Sequence, residues 1–155
     1  MRILSSMLVP ALALALTGCG AKSHEEGPVT DAWMRLSPIE GNPAAGYFTI
    51  KGGEEDNRLL SVTSPKVASI ELHDMSIKDG MMEMKRIDDG VMIPAHGTVS
   101  FSPAGMHAMM FGVASEVKPG RKILLTFQFA KGEPANVEAL VRGAGEDDGS
   151  HGMMH

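Results

Sequence analysis

The chain reads as all-β, an antiparallel sandwich or Greek-key barrel built from eight to ten short strands. Three observations carry that expectation. Short segments rich in β-branched and apolar residues recur from Asp31 onward, clusters of Gly, Pro, Asn and Asp separate them, and no long helical stripe of apolar positions appears. Spacing of this kind, with turn chemistry in every gap, is how sandwiches and barrels are encoded.

The predicted strands are Thr30 to Leu36, Ala45 to Lys51, Arg58 to Thr63, Ser69 to Met75, Met81 to Ile87, Thr98 to Phe101, His107 to Val113, Lys122 to Phe129 and Asn136 to Val141. The gaps hold Pro38 to Pro43, Gly52-Gly53, Ser64-Pro65, Asp79-Gly80, Asp88-Asp89-Gly90, Pro103-Ala104-Gly105, Lys118-Pro119-Gly120 and Lys131 to Pro134. The Lys122 strand alternates well, with Ile123, Leu125, Phe127 and Phe129 on one face, so it should span the core. Trp33, the sole tryptophan, is expected to pack in the core or on a sheet. His96, between Ala95 and Gly97, is expected in a turn.

At 155 residues the chain supports one domain with a real core, so size alone demands no staple. The first eighteen residues fall outside that domain. A short positive start at Met1-Arg2, a mostly apolar run from Ile3 to Leu16 and the ending Leu16-Thr17-Gly18-Cys19 describe an export signal (residues 1–18). The run is too short and too interrupted, by Ser5, Ser6 and Pro10, to span a bilayer. Cys19 is the only cysteine, so no disulfide forms within one chain, and its place after small residues at the end of an apolar segment suits lipidation. Residues 19–29 then form a lipidated polar tether, 30–142 the folded domain, and 143–155 a disordered tail ending His151-Gly-Met-Met-His155. The formal net charge is −5 and becomes more negative when Arg2 leaves with the signal, which argues against nucleic acid as a partner.

Function points to the stretch from His73 to Met109. It holds His73, Met84 and the triplet His107-Ala108-Met109, without a cysteine between them. Thioether sulfur is a soft, uncharged donor, and together with imidazole it favours Cu(I) over Zn(II), Mg(II) or Ca(II). The competing account is that some of the 13 methionines simply fill the core. Strand parity favours the ligand account: His107 and Met109, two apart, share a face. His73 and Met84 flank the Ser76 to Gly80 turn. A two-residue loop at Asp79-Gly80 sets Met75 opposite Met84, with His73 a diagonal step away. A loop at Lys78-Asp79 sets His73 itself opposite Met84. Either keeps the pair on one face, and a three-residue loop separates them. The expected arrangement is two strand pairs meeting at one end of a sandwich, with His73 near a strand end and Met75, Met106 and Met110 as packing or rim residues. No Ser/His/Asp order with a nucleophile elbow, no framed carboxylate pair and no phosphate loop is present in the sequence, so an enzyme is not expected.

The spacing resembles the periplasmic copper chaperones of the PCu(A)C family, whose signature is His, ten residues, Met, about 21 residues, His-x-Met. The gaps here are ten residues (Asp74 to Glu83) and 22 residues (Lys85 to Met106), the extra residue assigned to the Asp88-Asp89-Gly90 turn. The framing is similar too: Ala44-Ala45-Gly46-Tyr47-Phe48, Glu71-Leu72-His73-Asp74-Met75, Met92-Ile93-Pro94-Ala95 and Phe101-Ser102-Pro103. Leu16 to Cys19 resembles the bacterial lipobox, which implies a diacylglyceryl group on Cys19. The resemblance implies a cupredoxin-like fold, Cu(I) at His73, Met84, His107 and Met109, and delivery toward the CuA subunit of cytochrome c oxidase alongside a Sco-type protein. It also implies an accessory copper site, including Cu(II), at His151, Met153, Met154 and His155. On this reading the protein is a lipoprotein held at the periplasmic face of a membrane. The alternatives are a copper storage or resistance protein, or a metal-free envelope sandwich.

Overall fold

A computed structural model describes residues 27–146, all of it strands and loops. The signal, Cys19, most of the tether, His151, Met153, Met154 and His155 lie outside these residues. Ten strands form: β1 (Val29–Arg35), β2 (Ala44–Lys51), β3 (Asn57–Thr63), β4 (Val67–Lys78), β5 (Met81–Arg86), β6 (Val91–Ile93), β7 (Thr98–Phe101), β8 (His107–Val113), β9 (Lys122–Phe129) and β10 (Ala135–Arg142). The all-β expectation holds. β6 is the strand that the pattern missed, since three residues between Gly90 and Pro94 are too few to show an alternation.

The strands join in the order β5-β4-β8-β2-β1-β10-β9-β3-β6, with β7 pairing the far half of β2. Pairing is antiparallel except between β1 and β10, which run parallel, so the expected antiparallel sheet is in fact mixed. The sheet curls over itself. Phe48 on β2 meets Phe127 on β9 edge-on at 4.7 Å although two strands separate them in the sheet. Between the facing halves lie Met34, Ile50, Leu59, Leu72, Ala108, Met110, Leu125 and Val141, closed off from solvent.

Two bulges tune which side chains reach this core. On β1, Thr30 pairs Thr49 while Trp33 pairs Tyr47, so one residue is extra, and Asp31 takes φ 54°. The resulting parity change lets Val29 and Met34, five apart, both face inward. On β3 the shift between Leu59 and Ser61 does the same for Leu59 and Val62. Trp33 is buried, as expected, but on the outer face. It packs on Tyr47 with ring centroids 4.5 Å apart and lies under the Arg142 guanidinium at 4.4 Å.

The β4–β5 hairpin positions two of the candidate ligands. Asp79 and Gly80 form its two-residue loop with φ of 52° and 77°, the doubly left-handed turn whose twist matches the strands it joins. β4 is twelve residues long, and its pairing with β8 ends at His73 opposite His107. Beyond that point β4 and β5 continue as a two-stranded ribbon.

Phe127 is fully buried and stacks edge-on with Phe48. Phe127→Ala should therefore cost about 3–5 kcal/mol, measurable as a shift in the urea midpoint at unchanged slope.

Candidate metal centre

Register decides where the four candidate ligands go. Met75 pairs Met84 and His73 pairs Arg86 across β4–β5; His73 pairs His107 and Glu71 pairs Met109 across β4–β8. Because side chains alternate, Glu71, His73 and Met75 on β4, Met82, Met84 and Arg86 on β5, and His107 and Met109 on β8 share one face. That face is the outer one, as Leu72, Ala108 and Met110 point into the core. The four ligands therefore come from three adjacent strands of one sheet with β4 in the middle. This replaces the expected meeting of two strand pairs at a sandwich end. His73 is also not near a strand end: it lies inside β4, because that strand runs three residues past Met75.

The observed loop is Asp79-Gly80, so Met84 stands opposite Met75 and one diagonal step from His73. Of the methionines read as packing or rim, Met110 is fully buried, while Met75 and Met106 are half-buried.

The two imidazoles are close, with ring centroids 5.9 Å apart and planes 26° from parallel. Each has one nitrogen committed and the other free. His107 Nδ1 lies 3.1 Å from the Gly105 carbonyl oxygen; a carbonyl only accepts, so Nδ1 carries the proton and Nε2 keeps its lone pair. His73 Nε2 lies 3.0 Å from Glu71 Oε2, so it donates to the carboxylate. His73 Nδ1 is buried with no partner. A buried nitrogen lone pair without a donor is costly in a folded protein, and an ion that accepts it removes that cost. A histidine that donates one nitrogen to a carboxylate and offers the other is a recurrent arrangement at metal sites.

Glu71 is itself held. Arg86 Nη1 donates to its Oε1 at 2.9 Å, and Arg86 Nε donates to Asp88 Oδ1 at 2.8 Å. Sequence reading missed Glu71 and Arg86 as functional residues. The signal was there in Glu71-x-His73, because two residues apart on a strand means the same face.

Burial falls across the site. His107 is 7% exposed, His73 and Met109 are half-buried, and Met84 on the edge strand is 49% exposed. On the other side stands a wall. Ala45 pairs Met109, which puts Tyr47 on the ligand face beside Trp33. Burial pushes the Tyr47 hydroxyl above its ordinary range, and Arg35, which donates Nη2 to it at 3.1 Å, offsets part of that rise.

Among the described residues no group of three or more His, Cys, Asp or Glu side chains could hold a metal. The donors on this face are instead two imidazoles and thioethers, a set suited to a soft monovalent ion. A groove of about 460 Å³ between the 36–44 and 112–119 segments has none of the four ligands in its lining.

Residues 28–141 match the family model described as "Putative lipoprotein LpqE-like". A Leifsonia xyli subsp. xyli protein named as a lipoprotein, Lxx21020, is 29% identical over 151 residues, spanning 91% of this chain and 90% of the relative. Among solved structures, the copper-bound PCuAC domain from PmoF2 superposes with a TM-score of 0.59 at 22% identity, covering 74% of this chain and 91% of that domain. The solution structure of CuI-DR1885 from Deinococcus radiodurans gives 0.58 at 26% identity, covering 74% and 78%. The cupredoxin-like PCuAC fold expected from the sequence is thus the fold observed.

The hydrogen bonds fix the two histidines in opposite tautomers. In metal-free protein, long-range proton–nitrogen NMR should find neutral His73 protonated at Nε2 and neutral His107 at Nδ1. Glu71→Ala should release His73 to a mixture while leaving His107 unchanged.

Proposed function

We propose a function from one premise: the chain belongs to the LpqE-like family. It is a Cu(I)-binding metallochaperone that acts by ligand exchange and catalyses no reaction, with copper as its cargo. His73 Nδ1, His107 Nε2 and the Met84 and Met109 thioethers hold the ion. The observation that carries this reading is the buried, unpartnered His73 Nδ1 on a face shared with His107, Met84 and Met109. The copper-bound PmoF2 domain and CuI-DR1885 support it, as proteins of this fold whose names record copper.

The metal-free sandwich is disfavoured, since Met84 is half exposed and Met109 half buried, and neither belongs to the core. The site residues, the division into signal (1–18), tether (19–29), domain (30–142) and tail (143–155), and lipidation at Cys19 are all part of the proposal. The lipid holds the domain at the periplasmic face of a membrane. The relative named as a lipoprotein supports that anchor. From there the domain passes copper toward the CuA subunit of cytochrome c oxidase, directly or through a Sco-type protein. His151, Met153, Met154 and His155 form an accessory site that also accepts Cu(II).

A neutral donor set favours the handover. Two imidazoles and two thioethers bring no negative charge, so Cu(I) leaves without being pulled from an anionic ligand. Thioethers are also spared the thiolate chemistry that makes cysteine sites prone to oxidation outside the cytosol.

Competitive Cu(I) titration of the intact chain in detergent should reveal one tight 1:1 site, weakened by about 100-fold or more in His107→Ala/Met109→Ala. Retention of the site in that variant overturns the assignment. Lost oxidase activity at low copper in a deletion strain supports delivery, whereas copper sensitivity with normal oxidase supports storage.

A further inference from the structure

The β4–β5 ribbon beyond β8 is sorted by chemistry. Residues 74–78 of β4 and the facing residues 81–85 of β5 extend about 17 Å past the His73–His107 pair, at about 3.4 Å per residue. Asp74, Ser76, Lys78, Glu83 and Lys85 alternate onto one side, with Asp74 opposite Lys85 and Ser76 opposite Glu83, and Met81, opposite Lys78 beside the turn, is the one apolar residue there. The other side carries Met75, Ile77, Met82 and Met84, with Met82 67% and Ile77 77% exposed.

An exposed two-stranded ribbon gains little from apolar side chains, and methionine is not among the residues that favour strands. Three of these four positions are nevertheless methionine, and they share their face with His73, His107 and Met109. Met75 and Met84 are directly paired, so their Cβ atoms lie about 4.5–5.5 Å apart, and Met82 is the diagonal neighbour of Met75 at about 7–8 Å. Methionine has three rotatable bonds and a polarizable sulfur, so three thioethers at these spacings can converge on one soft ion.

We propose that Met75, Met82 and Met84 form a second Cu(I) site, made of three thioethers, on the exposed side of the β4–β5 ribbon. Met84 belongs to both sets and passes the ion between the ribbon and His73, His107 and Met109. The inference rests on the copper-chaperone reading and adds to it the route by which the ion enters and leaves. The exchange is one of ligands only: as one Cu–S bond forms another Cu–donor bond breaks, copper stays in the +1 state, and no electron moves. Burial rises along the route, from Met82 through Met84 and His73 to His107, so the ion trades water-exposed donors for enclosed ones.

The test uses the intact chain in detergent with 13C-methyl-labelled methionine, and Ag(I) as a soft closed-shell stand-in for Cu(I). In His73→Ala/His107→Ala, the methyl signals of Met75, Met82 and Met84 should shift together on addition of Ag(I). Silence of Met75 and Met82 up to about 5 equivalents overturns the ribbon site. A second variant, Met75→Leu/Met82→Leu, conserves volume and apolar character but removes two sulfurs. Its 1:1 Cu(I) affinity should stay within about threefold, while transfer of Cu(I) to bicinchoninate should slow about tenfold. An unchanged transfer rate also overturns the proposal, because leucine would then serve as well and the side would be a plain apolar surface. A native chain with no 1:1 Cu(I) site fails the chaperone reading itself, whereas a native site with silent Met75 and Met82 fails only the ribbon.

Discussion

The period-two alternation of strand side chains, combined with a fixed register across β5, β4 and β8, governs everything at the proposed copper site. β4 pairs β5 on one edge and β8 on the other, and the two registers agree: Met75 faces Met84 on one edge, and His73 faces His107 on the other. A slip of one residue against β8 sends half of the four donors to the core, and a slip against β5 turns Met84 to the other side of the ribbon. The Asp79-Gly80 turn holds one register, with both residues left-handed. The other is held by Leu72, Ala108 and Met110, whose burial leaves His73, His107 and Met109 no face but the outer one.

On that frame the donors are graded rather than uniform. His107 is enclosed and its ring is fixed by Gly105; His73 is fixed by Glu71, which Arg86 holds in turn. Met84 stands on an exposed edge strand, half open to solvent. A held half suits selection of the ion, and an exposed half suits its exchange, because ligand replacement needs a donor that an incoming ligand can reach. Tyr47, Trp33 and the guanidinium of Arg142 close the opposite flank, so the open approach is from the ribbon.

The acidic and basic groups around the site are spent on one another rather than on an ion. Glu71 is divided between His73 and Arg86, and Asp88 takes the remaining face of Arg86. The first ring of donors is thereby kept neutral while its orientation comes from charged neighbours. Carboxylates left free on this face would instead draw harder divalent ions.

Much of this was legible in the chain alone, because it depends on local pattern. Turn residues at short spacing and alternation in segments such as Ile123 to Phe129 determined an all-β class, and His73, Met84, His107 and Met109 announced a soft donor set by residue type. Parity within the Asp79-Gly80 hairpin even limited where Met84 could point. What remained hidden depends on pairings between residues far apart in sequence. That β4 lies between β5 and β8, that β1 and β10 run parallel, and that bulges at Asp31 and Leu60 reset which side chains face inward are decided when strands choose neighbours. The unpartnered Nδ1 of His73 is of the same kind. Sequence supplies the imidazole, but only the packing of Glu71, Arg86 and His107 around it ties up one nitrogen and buries the other.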